Sequence, residues 1–160
     1  MNYLKHILIL ACVMISIAAC KKDEVEPFDE LAQFHIDTTA IRAYVKANNI
    51  SVIKQEDTGI FYQVTTEGDG EAITLNSSLT ATYTGKILNG PEFVTTGSTP
   101  ETFSLKGAML GWQAILPLVK KGSTVRMFLP SFYGYGHIAN ERVPANSVLD
   151  FVVSIAKNTN

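Results

Sequence analysis

Two hydrophobic periods divide the chain, and they hardly overlap. Between residues 29 and 49, Leu31, Phe34, Ile41 and Val45 recur at a three-to-four spacing that places them on one stripe of a helix. Asp37, ahead of Thr38-Thr39-Ala40-Ile41, has N-cap chemistry, so this helix starts or restarts there, and Asn48-Asn49 is its stop. From residue 50 onward the period falls to two. Gly59 opens Ile60-Phe61-Tyr62-Gln63-Val64, and Leu79, Ala81 and Tyr83 alternate with Thr80, Thr82 and Thr84 as in a half-buried strand. Val125, Met127 and Leu129 repeat the alternation, as do Leu149, Phe151, Val153 and Ile155. Gly68-Asp69-Gly70 is turn chemistry, and Asn89-Gly90 is a hairpin signal. Within this region only Trp112, Ile115, Leu116 and Val119 follow helical spacing, and Pro117 keeps that helix short or kinked. Many antiparallel strands around one short helix predict an α+β fold. The segment 29–49 is then either a dimerisation helix or a helix packed on its own domain. It is too short for a sustained coiled coil, which favours the second.

The first residues follow another logic. Lys5 and His6 precede an apolar run, Ile7 to Ala19, broken only by Ser16 and too short for a comfortable membrane span. Ile17-Ala18-Ala19-Cys20 resembles a bacterial lipobox, which implies cleavage before Cys20 and acylation of that cysteine. The competing reading is an ordinary secretory signal with an incidental cysteine. Residues 20–28 are charged, carry Pro27 and read as a tether. Lys21-Lys22-Asp23-Glu24 resembles a surface-export signal of Bacteroidetes lipoproteins, and it reads equally as a solvated spacer. The expected organisation is a signal peptide at 1–19, a tether at 20–28, a helical extension at 29–56 and a domain at 57–157. The expected location is the bacterial envelope, with a lipid on Cys20 holding the protein to a membrane.

Composition narrows the chemistry. A chain of 160 residues suggests one domain with short extensions, and a net charge of −2 offers no basic footprint for nucleic acid. Cys12 leaves with the signal and Cys20 is capped by lipid, so the mature domain has no thiol for redox or nucleophilic work. His35 lies on a helix without partner spacing, and His137 sits in a polar loop, where it reads as solvated. No metal site, glycine-rich phosphate loop or Ser-His-Asp ordering emerges, and no cofactor is expected.

What remains is a series of aromatics: Tyr83, Phe93, Trp112, Tyr135 and Phe151. Each taken singly is ordinary core packing. Their surroundings argue otherwise. Gly68-Asp69-Gly70, Tyr83-Thr84-Gly85, Phe103-Ser104-Leu105 with Gly111-Trp112, Tyr135-Gly136 after Pro130-Ser131, and Val143-Pro144-Ala145-Asn146-Ser147 follow one another in a specific order. In that order, over residues 57–157, they resemble an FKBP-type peptidyl-prolyl cis-trans isomerase. The resemblance implies a half-open antiparallel sheet wrapped on one short helix. It implies that Trp112 floors a proline pocket, that Tyr83, Phe93 and Phe151 wall it, and that Ala108 and Met109 form its rim. It further implies that the Met109 N–H and the Tyr135 hydroxyl donate to substrate, and that Val143 closes the loop side. Rotation about an X-Pro bond suits such a pocket. Its barrier is roughly 18–20 kcal/mol, and it needs a site that prefers the twisted amide, with no covalent step.

The chain also departs from the family pattern. Val94 stands where the family usually has aspartate after phenylalanine, which predicts a slower enzyme or a module that only binds Pro-containing or apolar segments. Glu101 stands where a second aromatic wall is common, which weakens the implied capacity for macrolide binding.

Overall fold

The computed structural model describes residues 27–157. The signal and lipobox, Cys20 included, lie outside them. The first element, α1 (Glu30–Ala47), is capped by the Asp29 carboxylate, which accepts from the Ala32 N–H at 2.9 Å. It ends at Asn48, followed by Asn49 in the left-handed region at φ 51°. The stop falls where the sequence puts it, but the start does not. Asp37 is mid-helix and buried, because Asp29, two residues ahead of Leu31, caps the helix instead. The buried stripe is Asp37, Thr38, Ile41 and Val45, while Leu31 is exposed.

Strands β1 (Ile53–Lys54), β2 (Phe61–Thr66), β3 (Ser78–Ile87), β4 (Glu92–Thr95) and β5 (Glu101–Ser104) follow. Then come the short helix α2 (Leu110–Ile115), β6 (Thr124–Leu129) and β7 (Leu149–Ile155). Pro117 closes α2 into a single 3₁₀ turn, Leu116–Leu118. The seven strands form one sheet in the order β1-β2-β6-β7-β3-β4, with β5 also on β3, and all pairings are antiparallel. This is the expected α+β architecture, an open sheet around one short helix with a helix ahead of it.

The alternation of β6 and β7 builds two cores. Val125, Met127, Leu129, Leu149, Phe151, Val153 and Ile155 face α2 and join Trp112, Ile115 and Leu116. On the opposite face Phe128 joins Phe61 and Val148 beneath Ile41 and Val45 of α1. Asp150 points to that second face and holds Arg126 through two hydrogen bonds of 2.9 and 2.7 Å. The N-terminal helix therefore packs on its own domain. Gly111 lets α2 approach the sheet, since a Cβ there would lie 2.6 Å from the Leu129 side chain.

Candidate active site

α2 presents Trp112 to the concave face, and the site is built around that indole. The Tyr83 ring from β3 meets it edge-on at 5.1 Å between centroids, as does Phe151 from β7 at 5.3 Å, and Phe103 from β5 lies tilted against it at 5.2 Å. Phe93 from β4 packs edge-on against Phe151 at 5.6 Å and against Tyr135 at 5.9 Å. Edge-to-face contacts of this kind hold rings at fixed angles without filling the space above them. That space is a cleft of about 360 Å³, lined by Tyr83, Val94, Glu101, Phe103, Ser104, Gly107, Ala108, Met109, Trp112, Tyr135 and Phe151. Gly85 is needed at its base, because a Cβ there would lie 2.5 Å from the Phe151 ring and 2.8 Å from Val94.

Hydrogen bonding in the cleft is sparse. The Trp112 indole N–H is buried and has no acceptor among the described residues. Met109 caps α2 with an extended backbone, and its carbonyl accepts from the N–H groups of Trp112 and Gln113. The Gln113 amide closes the rim by donating to the Ala108 carbonyl at 2.7 Å. Tyr83 donates its hydroxyl proton to Glu101 Oε2 at 2.6 Å, and that bond, reinforced by partial burial, raises the Tyr83 hydroxyl to about 12. Tyr83 therefore remains a donor at any physiological pH.

The structure brings together Tyr83, Trp112, Tyr135, Phe151, Ala108, Met109 and Val94 in one lining. Phe93 stands behind that lining as the support of Phe151 and Tyr135. Val143 departs from expectation: only 1% exposed, it belongs to the buried core and does not line the cleft. Glu101 lies in the cleft lining, where the resemblance puts a wall position, and Phe103, Ser104 and Gly107 line the cleft beyond what the resemblance implies. Period two along β5 puts Glu101 and Phe103 on one face, and the register Ala81↔Glu101 and Leu79↔Phe103 makes it the face that carries Tyr83. The alternation was legible; the register was not.

The profile of the family described as FKBP-type peptidyl-prolyl cis-trans isomerase matches residues 69–156. The chain belongs to this family. It is similar to the FKBP-type peptidyl-prolyl cis-trans isomerase FkpA of Buchnera aphidicola subsp. Schizaphis graminum, 34% identical over 113 residues that cover 69% of this chain and 45% of that protein. It is similar also to the peptidyl-prolyl cis-trans isomerase Mip of Coxiella burnetii, 35% identical over 98 residues that cover 59% and 43%. Of these FKBP relatives the chain spans less than half the length. Among solved structures, the crystal structure of FkpA from Escherichia coli matches with a TM-score of 0.66 and 29% identity, over 78% of this chain and 62% of that one.

Proposed function

We propose that this chain is a peptidyl-prolyl cis-trans isomerase that turns X-Pro bonds of polypeptides in the bacterial envelope and so assists their folding. The observation that carries the reading is the aromatic cleft itself, floored by Trp112 and walled mainly by apolar side chains. A planar amide is stabilised by resonance and by water hydrogen-bonded to its polarised carbonyl. A pyrrolidine ring seated over Trp112, between Tyr83 and Phe151, leaves that water behind. The twisted amide has lost its resonance and is less polar at the carbonyl, so a dry site disfavours it less than it disfavours the planar isomers. Differential binding of this kind lowers the barrier without a nucleophile. The Met109 N–H and the Tyr135 hydroxyl, neither of which has a protein acceptor among the described residues, then hold the flanking substrate carbonyls.

In this reading residues 57–157 form the isomerase unit and 29–56 an extension docked upon it. Attachment through a lipid on Cys20 rests on Ile17-Ala18-Ala19-Cys20, and among the described residues no helix is long and apolar enough to cross a membrane. A rapamycin-type macrolide would enter the same cleft and meet Glu101. The deciding experiment is a protease-coupled isomerisation assay of residues 21–160 on an X-Pro peptide. Acceleration abolished by filling the cleft with Gly107→Trp is the expected result. No acceleration by the unaltered domain would sink the proposal.

A further inference from the structure

One charged group faces into an otherwise uncharged cleft. Among the lining residues only Glu101 carries a charge, and its side chain is exposed at the open end of β5. Oε2 is fixed by the 2.6 Å bond from Tyr83, and Oε1 has no protein donor among the described residues. None of the ion pairs among the described residues includes Glu101. An unpaired carboxylate at the mouth of the cleft, with one oxygen engaged by Tyr83, attracts a cation at short range, and the attraction is strongest at low salt.

We infer that Glu101 is a specificity-determining residue, which makes the cleft select X-Pro segments bearing lysine or arginine beside the proline and discriminate against aspartate or glutamate there. The inference rests on the isomerase reading and names its substrate class. A proline ring over Trp112 leaves its flanking side chain at the rim, within reach of the free Oε1. A cationic side chain gains a partner in that position. An acidic one faces like charge, and an aliphatic one is indifferent.

The test uses three tetrapeptides of the type Ala-Xaa-Pro-Phe, with Xaa Lys, Leu or Glu. Wild-type kcat/KM should favour Lys over Glu by about tenfold at low salt, and the ratio should shrink toward one at 1 M salt, where the screening length is about 3 Å. In Glu101→Gln, which keeps an acceptor for Tyr83, the Lys-to-Glu ratio should collapse to within about twofold, and in Glu101→Lys it should invert. A wild-type ratio near one at low salt, or a ratio unmoved by Glu101→Gln, would overturn the inference. Inactivity on all three peptides would overturn the isomerase reading alone. Trp112 is the single tryptophan of the chain, so its fluorescence reports the same Lys-to-Glu ratio as binding affinities and still decides this one.

Discussion

Against one face of the sheet, α2 lays Trp112 among Tyr83, Phe103 and Phe151 and leaves the space above the indole open. Against the other, α1 lays Ile41 and Val45 on Phe61, Phe128 and Val148 and buries these side chains beneath itself. The polar groups differ in the same sense. On the open side the indole N–H of Trp112 is buried without a partner. On the closed side the buried Asp37 carboxylate accepts from the Ser131 N–H at 2.7 Å, the Ser131 hydroxyl at 2.6 Å and the Gln33 amide at 2.7 Å. A face that serves stability satisfies its polar groups. On the isomerase reading, the open face keeps a buried donor unpaired because its missing neighbour is the substrate.

Four substitutions put this contrast to the test. The largest effect is expected from Trp112→Ala. Truncating a buried tryptophan typically costs about 3–5 kcal/mol, and here it also removes the pocket floor, so isomerase activity should fall about a hundredfold or more. Urea unfolding and the coupled assay read the two losses separately. Activity surviving the loss of stability would refute the role of the indole. Next comes Asp37→Ala, which leaves the Ser131 donors buried without an acceptor. It should destabilise by about 1–3 kcal/mol yet leave the rate of the folded protein within about threefold. A collapse in rate at unchanged stability would mean that α1 reaches the cleft through the turn at Ser131, which leads to Tyr135.

A smaller effect is expected from Val94→Asp. If the family's usual carboxylate were missing in any functional sense, restoring it should raise the rate tenfold or more. The Tyr83 hydroxyl proton is already given to Glu101, so the expected change in kcat/KM is within about threefold. The smallest effect concerns alkaline pH. Tyr83 titrates near 10 in the unfolded chain and at about 12 when folded, held up first by its bond to Glu101 and then by burial. A raised folded value means that the stability it contributes is fully present below pH 10 and is lost as pH climbs toward 12. The difference in urea midpoint between the wild type and Tyr83→Phe should be flat below pH 9 and shrink between 10 and 12. Because Tyr83 is only partly buried and water screens its bond, the change should be slight; a difference growing with pH would contradict the bond.

Much of this protein is legible in its sequence. Alternation along β3, β6 and β7 determined which side chains face inward, because a strand turns successive residues to opposite sides whatever its partner. The stop at Asn48-Asn49 and the interruption at Pro117 are equally local, being set by backbone geometry within a turn of the residue concerned. The order of the glycine and aromatic motifs pointed to the family. Tertiary structure decided what depends on a distant partner. Asp37 has the chemistry of a cap and becomes a buried anchor only because Ser131, 94 positions away, arrives beside it. Val143 reads as wall and is interior. Glu101 reads as a lost aromatic and becomes the charge of the cleft because β5 pairs with β3 in a register that sets it against Tyr83, 18 positions earlier. Period and propensity are properties of neighbouring residues, whereas register and the satisfaction of buried polar groups belong to pairs that only folding brings together.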